Sequence, residues 1–186
     1  MDVNESALAV MAKAGDVDAF GELVDRYSAQ ARRVARAVLS DPDDGDDAAQ
    51  DAFLSALKHL NRYDPSRPFG PWLMRIVANA AADRRRRRKV RAAEELSDST
   101  TGGGPGPDVE TDRRAFMEAF RTALQALPER QRAAVTLFDV EGYSHAEIAE
   151  ILEIPQGTVR SDVFHSRRRL RGALKTWKHH WKEEVV

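Results

Sequence analysis

Apolar residues recur at helical spacing through the first half of the chain, and no stretch of any length alternates apolar with polar residues as a half-buried strand does. Phe20, Leu23, Val24, Tyr27, Ala31, Val34, Ala35 and Val38 share one face of a helix starting near Val17, with Asp16 placed to cap it. Pro42 and Gly45 interrupt that pattern. A second helix is predicted from about Asp46 to Leu60, with Ala49, Phe53, Ala56, Leu57 and Leu60 on its inner face. Asn61 to Pro68 is rich in turn formers. A third helix begins near Phe69–Pro71 and carries Trp72, Leu73, Ile76, Val77 and Ala80 into a run of arginines. Residues 1–91 therefore read as a bundle of three or four helices.

The pattern stops at residues 92–111, where Ser97-Asp98-Ser99-Thr100-Thr101-Gly102-Gly103-Gly104-Pro105-Gly106-Pro107 has little apolar surface to bury. A flexible linker is predicted there, and a passive spacer is the plainest role for it. A second helical domain follows over 112–182. Phe116, Phe120, Ala123, Leu124 and Leu127 mark one amphipathic helix; Pro128 and Glu129 open the next, which Gly142 ends. Ser144 and Glu147 form a capping box ahead of Ile148, Ala149, Ile151 and Leu152. Pro155 opens a last long helix through Thr158, Val159, Val163, Ser166 and Leu170. The expected fold is all-α, two helical domains joined by a flexible linker.

Composition narrows the chemistry. The 186 residues include no cysteine, which excludes disulfides, thiolate metal sites and a cysteine nucleophile. No run is long and apolar enough for a transmembrane helix, and the acidic start lacks a secretory signature, so a cytoplasmic protein without membrane insertion is expected. The net charge of −1 is a cancellation of segregated blocks. Asp41, Asp43, Asp44, Asp46, Asp47 and Asp51 precede the basic block Arg84, Arg85, Arg86, Arg87, Arg88, Lys89 and Arg91. Glu94 to Asp112 is acidic again, and Arg160, Arg167, Arg168, Arg169, Arg171 and Lys175 make the C-terminal part basic. Two basic blocks predict two contacts with a polyanion, against the alternative of solvated helix faces.

Ser144 to Ser161 has helix-turn-helix form, with a short helix, a brief turn, and a second helix polar at its start and basic beyond. The N-terminus of that second helix offers free backbone N–H groups to phosphate. Arg160, Ser161, Phe164 and His165 fall on one stripe that can reach base edges, and Arg167, Arg168, Arg169 and Arg171 can hold phosphates. In the first domain Tyr63, Phe69 and Trp72 flank a proline-bounded loop near the arginine run. Aromatics beside basic residues suit unpaired bases. Phe69 and Trp72 also fit a core, whereas Tyr63, in the loop, is the better stacking candidate. Asn79 and Asp83 lie one turn apart on one helix face.

Three segments in order carry a family resemblance. Asp44-Gly45-Asp46-Asp47-Ala48-Ala49-Gln50-Asp51-Ala52-Phe53-Leu54 resembles region 2.2 of the extracytoplasmic function (ECF, group 4) sigma factors of bacterial RNA polymerase. Phe69-Gly70-Pro71-Trp72-Leu73-Met74-Arg75-Ile76-Val77-Ala78-Asn79 with Asp83-Arg84 resembles regions 2.3 and 2.4. Leu127-Pro128-Glu129-Arg130-Gln131-Arg132 with the helix-turn-helix resembles region 4.

The resemblance implies a subunit that directs core RNA polymerase to promoters, helps melt the −10 element, and is controlled by an anti-sigma factor. Asp47, Gln50, Asp51 and Leu54 would contact the β′ clamp helices, with the β flap as a second polymerase contact; helix-dipole compensation is the other reading of Asp46 and Asp47. Tyr63, Arg67, Trp72, Asn79, Asp83, Arg84 and Arg87 would contact the −10 element, although Asp83 equally fits a pair with a nearby arginine. Thr158, Arg160, Ser161, Phe164, His165 and Arg168 would contact the −35 element. Asp162, where the family often carries a base, is expected to weaken phosphate attraction, and His165 stands where arginine is frequent. The acidic linker would mimic nucleic acid in a basic channel. No cofactor, metal or catalytic residue is implied, and nucleoid association would follow from holoenzyme formation. An ordinary DNA-binding regulator would not need the Asp44–Leu54 and Phe69–Arg84 segments. A nuclease built on the Asp43–Asp47 acids lacks a histidine nearby in sequence. Trp177 and Trp181, four residues apart, fit helix packing better than a partner site.

Overall fold

The computed structural model describes residues 4–39, 41–94 and 109–180. Helix α1 (Glu5–Lys13), which the sequence reading did not anticipate, is capped by the Asn4 side chain and buries Leu8, Ala9 and Ala12. Helix α2 (Val17–Leu39) starts where predicted, with Asp16 accepting from the Ala19 N–H at 3.0 Å. Helix α3 (Pro42–His59) begins earlier than predicted. Asp41 caps it by accepting from the N–H groups of Asp43 and Asp44, and Pro42 occupies the first turn, where its missing N–H costs nothing. Gly45 therefore lies within the helix rather than breaking it. It allows α3 to cross α2 closely, since a Cβ there would meet Arg36 Cγ at 2.5 Å. Leu57, expected inside, is half exposed on the outer face of α3.

Helix α4 (Phe69–Glu94) completes the first group by packing against both α2 and α3. The second group comprises α5 (Val109–Gln125), α6 (Glu129–Val135), α7 (His145–Leu152) and α8 (Gln156–Ala173). A wide turn of π type over Thr136–Val140 follows α6. The predicted capping box forms at the start of α7, with Ser144 accepting from Glu147 N–H and the Glu147 carboxylate accepting from Ser144 N–H. Glu153 ends α7 in the left-handed conformation at φ 55°, and this lets the chain turn into α8. Beyond α8 the Trp177 ring rests edge-on to Phe116 at 6.0 Å, the packing role expected for it; Trp181 lies outside the described residues.

The two groups do not stand apart. Helix α4 packs on α7 and α2 on α6. Phe69, Leu73, Met74 and Val77 from one group join Ala134, Leu137, Ile148 and Ile151 from the other in one connected core. Gly70 permits the approach: a Cβ there would come within 2.9 Å of the hydroxyls of both Tyr27 and Tyr143. Arg132 of α6 is buried and donates through Nε to the carbonyl of Ala37, near the end of α2. The sequence pattern showed two apolar faces but not that part of each is spent on the other. Residues 95–108, the body of the expected linker, lie outside the described residues.

Candidate nucleic-acid interface

Helix α8 has an inner and an outer face. Val159, Asp162, Val163, Ser166 and Leu170 point inward, at the i, i+3, i+4, i+7 spacing of a packed helix. Arg160, Ser161, Phe164, His165 and Arg168 are exposed, and Thr158 is half buried at the first turn. The Phe164 ring sits edge-on to His165 at 5.4 Å. Among the described residues, Arg160, Arg168, Arg169 and Arg171 have no carboxylate partner, so a cationic stripe faces outward around a large apolar ring. Arg167 differs: it pairs with Asp139 and lies over the Phe138 ring, 5.0 Å from its centre. Phe138 in turn stacks on His145 at the start of α7.

Asp162 departs from the sequence expectation. It lies about 200° around the helix from Arg160 and so faces the protein. Its carboxylate accepts from Arg130 at 2.6 Å and 3.3 Å, and its side chain is 5% exposed. This pairing raises the pKa of Arg130. Asp162 is thus a tie between α6 and α8, turned away from any DNA on the outer stripe.

Helix α4 treats its arginines otherwise. Arg84 donates to Asp44 and Asp47 at 2.9 Å and 2.6 Å and lies 3.7 Å from Asp51. Arg88 donates to Asp41 and Asp44 at 3.0 Å and 2.8 Å. Hydrogen bonding to the carboxylates raises the pKa of both arginines. Arg85 pairs with Glu129 and Arg86 with Asp83. The Asp83–Arg86 pair realises the alternative open for Asp83. Arg87 is exposed and has no carboxylate partner among the described residues. Asn79, Asp83 and Arg87 form the outward stripe of α4, and Arg75 continues it one turn earlier. The sequence reading passed over Arg75, although its spacing from Asn79 would have found it.

Tyr63 is not a free stacking platform. It is buried at 1% exposure, its hydroxyl donates to the carbonyl of Arg67, and its carbonyl accepts from Lys13 Nζ at 2.6 Å. Its ring packs against Phe69 and Trp72, with centres 5.3 Å and 5.2 Å away. Turn-rich neighbours placed it in a loop, but α1, absent from the sequence reading, closes over that loop. Trp72 keeps a half-exposed edge, and Phe69 is core. Arg67 reaches Glu150 of α7 at 2.9 Å.

The third surface is on α3. Asp47, Gln50, Asp51 and Leu54 are all exposed and recur at helical spacing along one outward stripe. Leu57 extends it, so two exposed leucines lie beside two acids that also face Arg84. No group of metal-ligating side chains occurs among the described residues, and no described helix is long and apolar enough to cross a membrane.

Comparison with known proteins accounts for both groups. Residues 23–91 match the family described as Sigma-70 region 2, and residues 117–170 match Sigma-70, region 4. The chain is 40% identical to the ECF RNA polymerase sigma factor SigM of Mycobacterium tuberculosis, over 84% of this chain and 78% of that protein. It is 30% identical to the ECF RNA polymerase sigma factor SigW of Bacillus subtilis, over 88% and 92%. Its fold resembles that of CnrH, solved in complex with the cytosolic domain of CnrY. The TM-score is 0.67 and the identity 29%, covering 92% of this chain and 97% of that one.

Proposed function

This chain belongs to the extracytoplasmic function sigma factors of the sigma-70 family, and we propose how its surfaces divide the work of directing core RNA polymerase to promoters. The stripe of Asp47, Gln50, Asp51 and Leu54, lengthened by Leu57, docks on the β′ clamp helices. Apolar area in its centre and acids at its rim suit a basic protein partner. The region 4 unit meets the β flap and reads the −35 element as duplex through Arg160, Ser161, Phe164, His165 and Arg168. The first turn of α8, with Thr158, offers backbone N–H groups to a phosphate. Asn79, Arg87 and the exposed edge of Trp72 meet the opened −10 strand, with Arg67 on its phosphates, while Asp83 stays paired with Arg86. Arg84 belongs to the α3–α4 tie rather than to this surface. Unstacking a base costs a few kcal/mol, which base contacts and stacking must offset. A protein inhibitor that holds the chain inactive is inferred from the likeness to CnrH, which was solved with CnrY bound.

The observation that carries this reading is the outward face of α8, whose arginines lack carboxylate partners among the described residues, in one chain with the α3 stripe. The deciding experiment is transcription by purified core polymerase on a library of promoter-like fragments, with and without the chain. Start-site-specific RNA that depends on the chain is expected. Tight duplex binding by the chain alone, with no specific transcript from core of its native host, would overturn the reading in favour of a regulator.

A further inference from the structure

The segment from Tyr63 to Phe69 leads into α4 and turns on itself at Asp64, which accepts from Ser66 N–H through its carboxylate and from Arg67 N–H through its carbonyl, each at 3.0 Å. Both ends of the segment are fastened from α1. Lys13 Nζ donates to the Tyr63 carbonyl at 2.6 Å. One oxygen of the Glu5 carboxylate accepts from Phe69 N–H at 2.9 Å, and the other accepts from the Tyr27 hydroxyl at 2.6 Å. Burial first, and then the bond to Glu5, raise the pKa of the Tyr27 hydroxyl, so it stays a donor. Phe69 opens α4, so its N–H has no carbonyl partner within the helix, and Pro68 before it has no side-chain oxygen for a cap. Glu5 thus caps α4 from a distant helix, with its charge at the positive end of the α4 dipole. The two fastening points are separated by about 12 Å along the axis of α1. Between them Leu8, Ala9 and Ala12 are buried in the same core as Tyr63 and Phe69. Both residues precede the stretch 23–91 that matches region 2, so the strap comes from outside that stretch.

We propose that Glu5 and Lys13 are positioning residues for promoter opening: by holding both ends of this loop they fix the exposed edge of Trp72 and the backbone of Arg67 where an unpaired −10 base must settle. The proposal rests on the −10 assignment made above. The seat of Trp72 is built from the fastened ends. Its ring centre lies 5.2 Å from that of Tyr63 and 5.3 Å from that of Phe69, and the Tyr63 hydroxyl donates to the Arg67 carbonyl. Taking a base out of the duplex is costly, and a stacking surface offsets that cost best when it is ordered before the base arrives. Glu5 and Lys13 act through the loop rather than on the DNA itself. A purely structural role would weaken every activity of the region 2 unit alike, by lowering the folded fraction. A positioning role confines the loss to the step in which bases leave the duplex.

The test compares Glu5→Ala and Lys13→Met with the parent, each as the full chain in complex with core polymerase. A promoter recovered from the fragment library is used in two forms, fully duplex and with its −10 region already unpaired by mismatches. Permanganate reactivity of unpaired thymines reads opening, and competition between variant and parent for core reads polymerase binding. Each variant should lower opening of the duplex promoter about tenfold, the scale of one hydrogen bond to a charged group. Affinity for core should stay at the parent's value. On the mismatched promoter, where opening is bypassed, RNA output should return close to the parent's. The conservative changes Lys13→Arg and Glu5→Gln, which keep a donor for Tyr63 and an acceptor for Phe69, should restore most of the opening. Equal losses on the two promoter forms would overturn the proposal, and so would a loss of core affinity that matches the loss of opening. Unchanged opening by both variants would also overturn it. Circular dichroism checks folding, and Lys13→Met, a change at an exposed position, carries the test if Glu5→Ala melts below the assay temperature. Absence of any start site with the parent itself counts against the functional reading, and the positioning role falls with it.

Discussion

The arginine run of α4 and the arginines of α8 look alike in sequence, yet the fold uses them differently. Arg84, Arg85, Arg86 and Arg88 each face a carboxylate, and two of them face more than one. Arg160, Arg168, Arg169 and Arg171 face none among the described residues. The difference comes from the neighbour each helix packs on. Helix α4 lies along the acid-rich start of α3, which takes up Arg84 and Arg88, while Arg85 meets Glu129 of α6 and Arg86 meets Asp83 of α4 itself. The outer face of α8 lies against no described helix. Charge density along a chain thus measures how much charge is made, whereas the opposing element decides how much remains for a ligand.

If that contrast is right, removing charge from α8 should cost function and leave stability. Arg160→Ala/Arg168→Ala is expected to lower promoter-directed transcription at least tenfold, each contact contributing about 1–3 kcal/mol. Its thermal midpoint should stay close to that of the parent, because exposed substitutions usually change stability by less than about 0.5 kcal/mol. A midpoint several degrees lower would show that these arginines tie the fold together. Asp162→Ala sharpens the point within the same helix. It removes a buried carboxylate that accepts two hydrogen bonds from Arg130, at a cost of about 1–3 kcal/mol. Melting should fall by roughly 2–4 °C per kcal/mol in a chain of this size. A changed −35 preference with unchanged melting would place Asp162 on the DNA side instead.

Arg84→Ala tests the other helix. Its three acids form a network, but the side chains are partly exposed, so about 1 kcal/mol is expected at low salt. The deficit should shrink as salt screens the parent's pairs. A deficit that salt leaves unchanged would locate the role of Arg84 in packing of its aliphatic stem.

The elements with strong local signals were legible in the sequence. Asp16 at the start of α2, the Ser144–Glu147 box and the long apolar face of α2 needed only their own neighbours to be read. The misreadings share a cause, which is that a distant element decides. Gly45 reads as a breaker until α2 crosses it, and Tyr63 reads as a loop aromatic until α1 covers it. Asp162 reads as a charge beside DNA until Arg130 takes it. The candidate −10 surface was the least legible part, since the seven residues chosen by type include one in the core and three held in ion pairs, Arg67, Asp83 and Arg84. The α8 stripe was more legible because helical spacing alone places its residues on the outer face.

The smallest expected effect concerns the cap that begins the α3–α4 contact. Asp41 accepts from two backbone N–H groups and faces Arg88, and the pKa of its carboxyl is lowered first by the Asp44 N–H, then by Arg88 and the Asp43 N–H. A carboxyl whose folded pKa lies below its unfolded value stabilises the fold above the unfolded value, near 3.9 for Asp. That stabilisation disappears as pH falls through the folded value. Asn can still cap the helix but cannot ionise, so Asp41→Asn resembles the protonated parent at every pH. The variant should therefore melt slightly below the parent at neutral pH, and the two melting curves should converge as pH falls below about 4. Melting series from neutral to strongly acidic pH would check this. A gap that persists undiminished into acid would mean that Asp41 acts through the geometry of its cap and not through its charge, and the acidic block of α3 would lose one of its claimed partners on α4.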